Sequence, residues 1–80
     1  MALHAEIREM IVRIVSVEEE KVLEAAHLQE DLGADSLALL DLAEAIGDRY
    51  GIEIEADDLV ELEDVRALVN KVRERIASLA

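Results

Sequence analysis

The 80-residue chain has no cysteine and no proline, and Tyr50 is its only aromatic residue. The absence of cysteine excludes disulfide bonds and thiolate metal sites, and nothing points to an oxidising compartment. Without proline or a low-complexity linker, nothing divides the chain, so residues 1–80 are predicted to form a single domain. Such a small domain depends on a core of Leu, Ile, Val and Ala and has little room for a deep active-site cleft.

Positive charge is also scarce, since eight Lys and Arg residues oppose twenty Asp and Glu residues and give a net charge of -12. Such a surface repels nucleic acid phosphates and anionic lipid headgroups, so we expect basic proteins as partners. The alternative is that the charge serves only solubility. No apolar run is long enough to span a bilayer, and the N-terminal residues do not resemble a signal peptide. The sequence therefore predicts a cytoplasmic monomer without a membrane span.

Apolar residues recur at helical spacing in three long segments, and residues 56–61 suit a short helix with Leu59 turned inward. The three stripes are Leu3, Ile7, Ile11 and Ile14, ending near Ser16; Leu39, Leu42, Ala43, Ile46 and Tyr50; and Val65, Leu68, Val69, Val72, Ile76 and Leu79, after an Asp64 cap. None of these helices can bury its stripe alone. The pattern therefore predicts an all-α fold, a four-helix bundle with three long helices and one short helix.

Two loops carry buried anchors in this prediction. Residues 17–35 show a weaker pattern and are predicted to form a long ordered loop pinned at Leu28 and Leu32. Structureless connections beyond about 12–15 residues are uncommon in compact domains, which favours a functional role for this loop. After the second helix, Gly51 is the predicted stop. Ile52 and Ile54 alternate with acids but have no second strand to pair with, so we interpret them as buried loop anchors.

The segment 31–37, Asp-Leu-Gly-Ala-Asp-Ser-Leu, joins the long loop to the second helix. Asp35 is predicted to cap that helix, so that Ser36 opens it. A short Asp-Ser-Leu string has little specificity alone, but its setting in an acidic helical chain gives it weight. The segment resembles the signature of the acyl carrier protein family. The resemblance continues through residues 50–54, Tyr-Gly-Ile-Glu-Ile, and reaches the last helix at Val65, so it spans nearly the whole chain.

The resemblance implies that Ser36 accepts the 4′-phosphopantetheine group of coenzyme A from a separate phosphopantetheinyl transferase. The thiol of that group would hold acyl intermediates as thioesters, so the protein would be a carrier and not an enzyme. A hydroxyl at a helix N-terminus suits this role, because free amides and the helix dipole favour a phosphate there. Gly33 would allow a tight turn, Asp35 would cap the helix and help position the transferase's magnesium, and Leu37 would contact partners.

The second helix also carries an acidic stripe, Asp41, Glu44 and Asp48, on the face away from its apolar stripe. We expect this stripe to bind the basic docking surfaces of acyl-loading and condensing enzymes. Ala38, Gly47 and Arg49 stand where carriers of fatty acid synthesis commonly have acids, while Glu55 replaces a frequent proline and Leu28 a frequent phenylalanine. These departures favour a dedicated carrier of polyketide, lipopeptide or other specialised acyl biosynthesis at least as much as a carrier of fatty acid synthesis.

Four other functions are less consistent with the residues of the chain. Ser36 lacks the Gly-x-Ser-x-Gly elbow of many serine hydrolases, and His4 and His27, the only histidines, are interpreted as surface residues. The acids of residues 57–64 lack the spacing of a calcium-binding loop, so no metal site is predicted. An aminoacyl or peptidyl carrier is the nearest rival, although Gly33-Ala34 in place of Gly-Gly favours acyl loading. An acidic helical interaction module without a prosthetic group is the other alternative.

Overall fold

The structure is a computed structural model that describes residues 2–79. Its four α-helices are α1 (Leu3–Ile11), α2 (Ser36–Tyr50), α3 (Ala56–Val60) and α4 (Val65–Ala77), and these described residues contain no strand. The predicted all-α fold with three long helices and one short helix is therefore confirmed. The short helix ends at Val60, one residue before the predicted end. Within residues 2–79, no helix has the length and apolar character needed to cross a membrane.

The first helix continues past α1 as a π-helical stretch, Val12–Ser16. Ser16 has a φ of 62°, a left-handed conformation that ends the helix where the sequence predicts. The long loop then makes one 3-10 turn, Glu19–Lys21. The predicted anchors Leu28 and Leu32 are buried, and Val22, Ala26 and Ala34 are buried with them. Five inward side chains thus hold this loop against the bundle, whereas Leu23 is 62% exposed.

The core consists of the inward stripes of the helices and the two isoleucine anchors after α2. Its innermost members include Ile7, Ile11, Leu42, Ile46 and Leu68, each fully enclosed. Burial of one such side chain contributes about 1.5–3 kcal/mol to the free energy of unfolding. Ile52 and Ile54 are buried as predicted, and Met10 joins the core although the predicted stripe omitted it.

The prediction that Leu79 belongs to the buried stripe of the last helix is wrong. The helix ends at Ala77, and the Leu79 side chain is 60% exposed. The Leu79 amide donates to the carbonyl of Ile76 at 3.1 Å, and the Ser78 hydroxyl donates to the carbonyl of Glu74 at 3.1 Å. The Leu79 amide thus bonds three residues back instead of four, so the α-helical spacing on which the prediction rests does not extend to residue 79.

Tyr50 is half-buried and connects α2 to α1 through its phenol. Its hydroxyl donates to Glu6 Oε1 at 2.8 Å, and Arg49 Nε lies 3.4 Å from the same oxygen. Burial, followed by the hydrogen bond to the Glu6 carboxylate, raises the pKa of Tyr50 to about 12. The phenol therefore stays protonated and keeps donating, and Arg49 is drawn toward α1.

Added salt is expected to raise the melting temperature, because a net charge of -12 on 80 residues makes the folded state repel itself. Raising monovalent salt from about 0.01 M to about 1 M shortens the Debye length from about 30 Å to about 3 Å. Each kcal/mol of repulsion removed should raise the melting temperature by about 4–8 °C in a domain of this size. Thermal melts followed by circular dichroism measure this, with an uncharged osmolyte at matched osmolality as the control. A melting temperature indifferent to salt would show that the repulsion is negligible.

Candidate functional site

The loop turns sharply just before α2. Gly33 has a φ of +74°, a conformation that a side chain strains, and its amide donates to the carbonyl of Gln29 at 3.1 Å. The next amide, that of Ala34, donates to the carbonyl of Leu28 at 2.9 Å. Leu32 and Ala34 are buried on either side of the glycine. Gly33 therefore makes a tight turn between two buried residues, as the sequence predicts.

Asp35 caps α2 as the sequence predicts. Its backbone is extended, its Oδ1 accepts from the amide of Ala38 at 2.8 Å, and its carbonyl accepts from the amide of Leu39 at 3.0 Å. Ser36 is consequently the first residue of the helix. The cap is provided by Asp35 alone, so the Ser36 hydroxyl has no part in holding the helix together.

Ser36 is exposed, and within residues 2–79 its hydroxyl has no hydrogen-bond partner. Likewise, the amides of Ser36 and Leu37 meet no acceptor in the described part of the chain. The N-terminus of α4 is different, because the amides of Val65 and Arg66 donate to the carbonyls of Ala26 at 3.1 Å and Glu24 at 2.9 Å. Of the two helices with an Asp cap, α2 is thus the one whose first amides have no acceptor. A phosphate on Ser36 would lie beside these amide donors and the positive end of the α2 dipole.

Comparison with known proteins identifies the family. Residues 5–72 match the family model described as the phosphopantetheine attachment site. The chain belongs to this family of carrier proteins. It is 36% identical over 74 residues to the acyl carrier protein of Petrotoga mobilis, covering 92% of this chain and 87% of the relative. It is 35% identical to that of Zymomonas mobilis, over 89% of this chain and 91% of the relative. The corresponding protein of Campylobacter lari is 37% identical, over 81% and 88% of the two chains.

Membership confirms two predictions, namely 4′-phosphopantetheine as the prosthetic group and a carrier that is not itself an enzyme. The residues of this carrier fit that group. The exposed Ser36 hydroxyl would offer the oxygen for a phosphodiester, and the open amides of Ser36 and Leu37 could donate to its non-bridging oxygens. When bound, the group supplies the thiol that the cysteine-free chain lacks.

Apolar and acidic side chains of the carrier lie exposed on α2 beyond Ser36. Leu37 is 65% exposed, and Leu40, which the sequence analysis did not single out, is 46% exposed. Asp41, Glu44 and Asp48 are all exposed, and none of them forms an ion pair within residues 2–79. No ion pair within the described residues therefore compensates the acidic stripe, although Arg75 lines the same groove as Glu44 and Asp48.

Two departures from the usual carrier sequence, Gly47 and Arg49, make defined contacts in the structure. A Cβ on Gly47 would lie 3.1 Å from the Ile52 carbonyl oxygen, so a side chain there crowds the turn that follows α2. Gly51 ends the helix with a φ of 65°, and the amides of Gly51 and Ile52 both donate to the Gly47 carbonyl. Arg49 is held by Glu6, as described above. Neither change alters the Ser36 end of α2.

Several of the remaining acids and both histidines contact neighbouring groups of the protein. Asp58 accepts from the Glu55 amide at 3.0 Å and lies 3.6 Å from Arg75. In the described part of the chain, no three His, Cys, Asp or Glu residues are arranged to hold a metal ion. His4 lies 3.8 Å from Glu24 at the surface. His27 is half-buried, and its ring accepts hydrogen bonds from the backbone, a contact that residue spacing did not indicate.

Proposed function

We propose that Ser36 is the attachment residue and that the protein carries acyl intermediates as thioesters on its phosphopantetheine arm. The observation that carries this proposal is the N-terminus of α2, where an exposed hydroxyl without a protein partner adjoins two open backbone amides. The hydroxyls of Ser16 and Ser78 have different settings. Ser16 lies at the left-handed end of the first helix, and Ser78 Oγ donates to the Glu74 carbonyl.

The attachment step forms one bond and breaks another. The Ser36 Oγ–phosphorus bond forms, the pyrophosphate bond of coenzyme A breaks, and adenosine bisphosphate leaves. The proton of the hydroxyl passes to a base on the transferase, because this chain places no histidine or carboxylate within hydrogen-bond distance of Ser36 Oγ in its described residues. The part of this chain is to present the hydroxyl and to stabilise the phosphodiester with amides.

The cargo class that we propose is acyl rather than aminoacyl. The relatives are named acyl carrier proteins, and the Ser36 segment has Gly33-Ala34 where aminoacyl and peptidyl carriers more often have Gly-Gly. We place the protein in fatty acid, polyketide or related specialised acyl biosynthesis. Two of its departures from fatty acid carriers, Gly47 and Arg49, make local contacts with Ile52 and Glu6, so they do not by themselves favour one of these pathways.

The partners in this proposal are a phosphopantetheinyl transferase and acyl-loading and condensing enzymes with basic docking surfaces. An enzyme that receives the arm has to approach the N-terminal end of α2. There it meets exposed Leu37 and Leu40 and, further along the helix, the carboxylates of Asp41, Glu44 and Asp48. An apolar patch beside uncompensated acids suits transient contact with a basic surface, since charge accelerates the encounter.

Incubation with coenzyme A and a broad-specificity transferase is expected to add one phosphopantetheine to the intact protein. Trypsin cleavage after Lys21 and Arg49 releases residues 22–49, in which Ser36 is the only hydroxyl-bearing residue, so peptide mass spectrometry locates the group. Modification of that peptide alone supports the proposal. No gain in mass would favour the interaction module, and release of aminoacyl groups from protein purified from its own cells would favour the aminoacyl rival.

A further inference from the structure

We propose that His27 is a positioning residue for Ser36: its neutral imidazole caps the turn of residues 28–32, and protonation of the ring releases that turn. Nothing in the attachment chemistry derived above uses this residue.

The ring of His27 acts as a hydrogen-bond acceptor for the backbone. Its Nδ1 accepts from the amide of Glu30 at 3.1 Å and from the amide of Gln29 at 3.2 Å. The His27 amide in turn donates to Asp31 Oδ2 at 2.7 Å. The His27 carbonyl accepts from the amides of Asp31 at 2.9 Å and Leu32 at 3.1 Å. His27 therefore does for this turn what Asp35 does for α2, with an imidazole nitrogen in place of a carboxylate oxygen.

The capped turn leads directly to the attachment residue. The carbonyls of Leu28 and Gln29 accept from the amides of Ala34 and Gly33, so the end of the turn is bound back to its start. Leu28 and Leu32 anchor it in the core. The position and direction of Gly33, and through it of the Asp35 cap and Ser36, thus depend on a turn in which one imidazole ring accepts from the amides of Gln29 and Glu30.

Protonation reverses the role of Nδ1. A neutral nitrogen offers a lone pair to the two amides, whereas an imidazolium presents an N–H to two other N–H groups at the positive end of the turn. Histidine is the residue type whose charge changes between about pH 5 and 8. Charged groups on the segments that adjoin His27 are Glu30 and Asp31 on the turn, Glu24, which pairs with Arg66 where the loop contacts α4, and the α4 cap Asp64, which accepts from the Ala67 amide. No ion pair joins the His27 ring to a carboxylate within residues 2–79.

The test uses the full chain labelled with ¹⁵N and three variants. His27→Asn keeps a capping acceptor that does not titrate, His27→Ala removes the cap, and His4→Gln removes the other histidine. From about pH 8 to about pH 5, wild-type amide resonances of Gln29 and Glu30 are expected to move together with the His27 ring. Their protection from hydrogen exchange, corrected for intrinsic rates, should fall by roughly fivefold to tenfold, the size of effect of losing one cap. His27→Asn should stay protected throughout and His27→Ala unprotected throughout, while His4→Gln behaves as wild type.

Three results would overturn the proposed cap. The first is a proton on His27 Nδ1 at the upper pH, and the second is a transition of the Gln29 and Glu30 amides that follows the protonation of His4. The third is a His27→Asn variant whose amides change with pH as those of the wild type do.

The link to Ser36 rests on the proposed function and has its own measurement. The rate of phosphopantetheine attachment to wild type, divided by the rate for His27→Asn, should fall severalfold across the same pH range, since the transferase's own pH dependence cancels. If this ratio of attachment rates stayed constant while the Gln29 and Glu30 amides changed with pH, the link to Ser36 would be wrong and the cap would stand. Absence of attachment to every form would count against the proposed function and leave the cap intact.

Discussion

Replacement of Ser36 with alanine is expected to abolish phosphopantetheine attachment while leaving the fold intact. Alanine offers no oxygen to the phosphate. The substitution removes no interaction from the folded state, because Ser36 is exposed, its hydroxyl has no partner in the described residues, and Asp35 caps α2 alone. The effect on stability should therefore stay within about 0.5 kcal/mol. Intact mass after incubation with coenzyme A and transferase measures the loss, and a thermal melt measures the fold.

The other two serines provide matched controls. Ser16→Gly suits the left-handed backbone at that position, and Ser78→Ala loses only the surface hydrogen bond to the Glu74 carbonyl. Both variants should gain one phosphopantetheine at the wild-type rate. A gain in mass by Ser36→Ala, or its loss in either control, would assign the arm to another serine and remove the functional argument from the N-terminus of α2.

The parts of the site that the sequence predicts are those set by local chemistry. Asp35 caps α2 because its own carboxylate reaches the Ala38 amide three residues later, and Gly51 ends α2 because it adopts a positive φ. Both effects depend on a residue and its immediate neighbours. The apolar stripe of α2 follows in the same way from helical spacing, so the exposure of Ser36 and of the acidic stripe could be predicted with it.

The features that the sequence does not predict depend on contacts between distant segments or on backbone groups. The closed N-terminus of α4 is made by the carbonyls of Glu24 and Ala26, and any residue types at those positions would offer the same carbonyls. The tight space at Gly47 arises from the Ile52 carbonyl, and the chain turn after Ala77 leaves Leu79 outside the core. The cap made by His27 is local, but histidine is not a preferred capping residue, so residue type gave no signal.

Reversal of charge at Asp41 and Glu44 is expected to slow transfer from the arm to a partner synthase by roughly tenfold or more at low salt, within the range of electrostatic steering. Both side chains are exposed, have no ion pair in residues 2–79, and lie on the face of α2 opposite buried Leu42 and Ile46. Replacing both with lysine turns attraction to a basic enzyme into repulsion. Transfer of a loaded acyl group, followed by mass spectrometry under single-turnover conditions, gives the rate.

The matched control reverses Glu18 and Glu20, which are also exposed and also lack ion pairs in the described residues. Both double variants change the net charge equally, so any general effect of reduced self-repulsion is shared. If α2 is the docking surface, only the double variant with Asp41→Lys and Glu44→Lys should transfer the acyl group slowly. Its transfer rate should approach that of the wild type as added salt screens the encounter. Equal slowing in both variants would mean that partners respond to net charge. If the α2 variant kept its helicity and transferred the acyl group at the wild-type rate, partner enzymes would have to recognise the loop before Ser36 or α3 near Leu59.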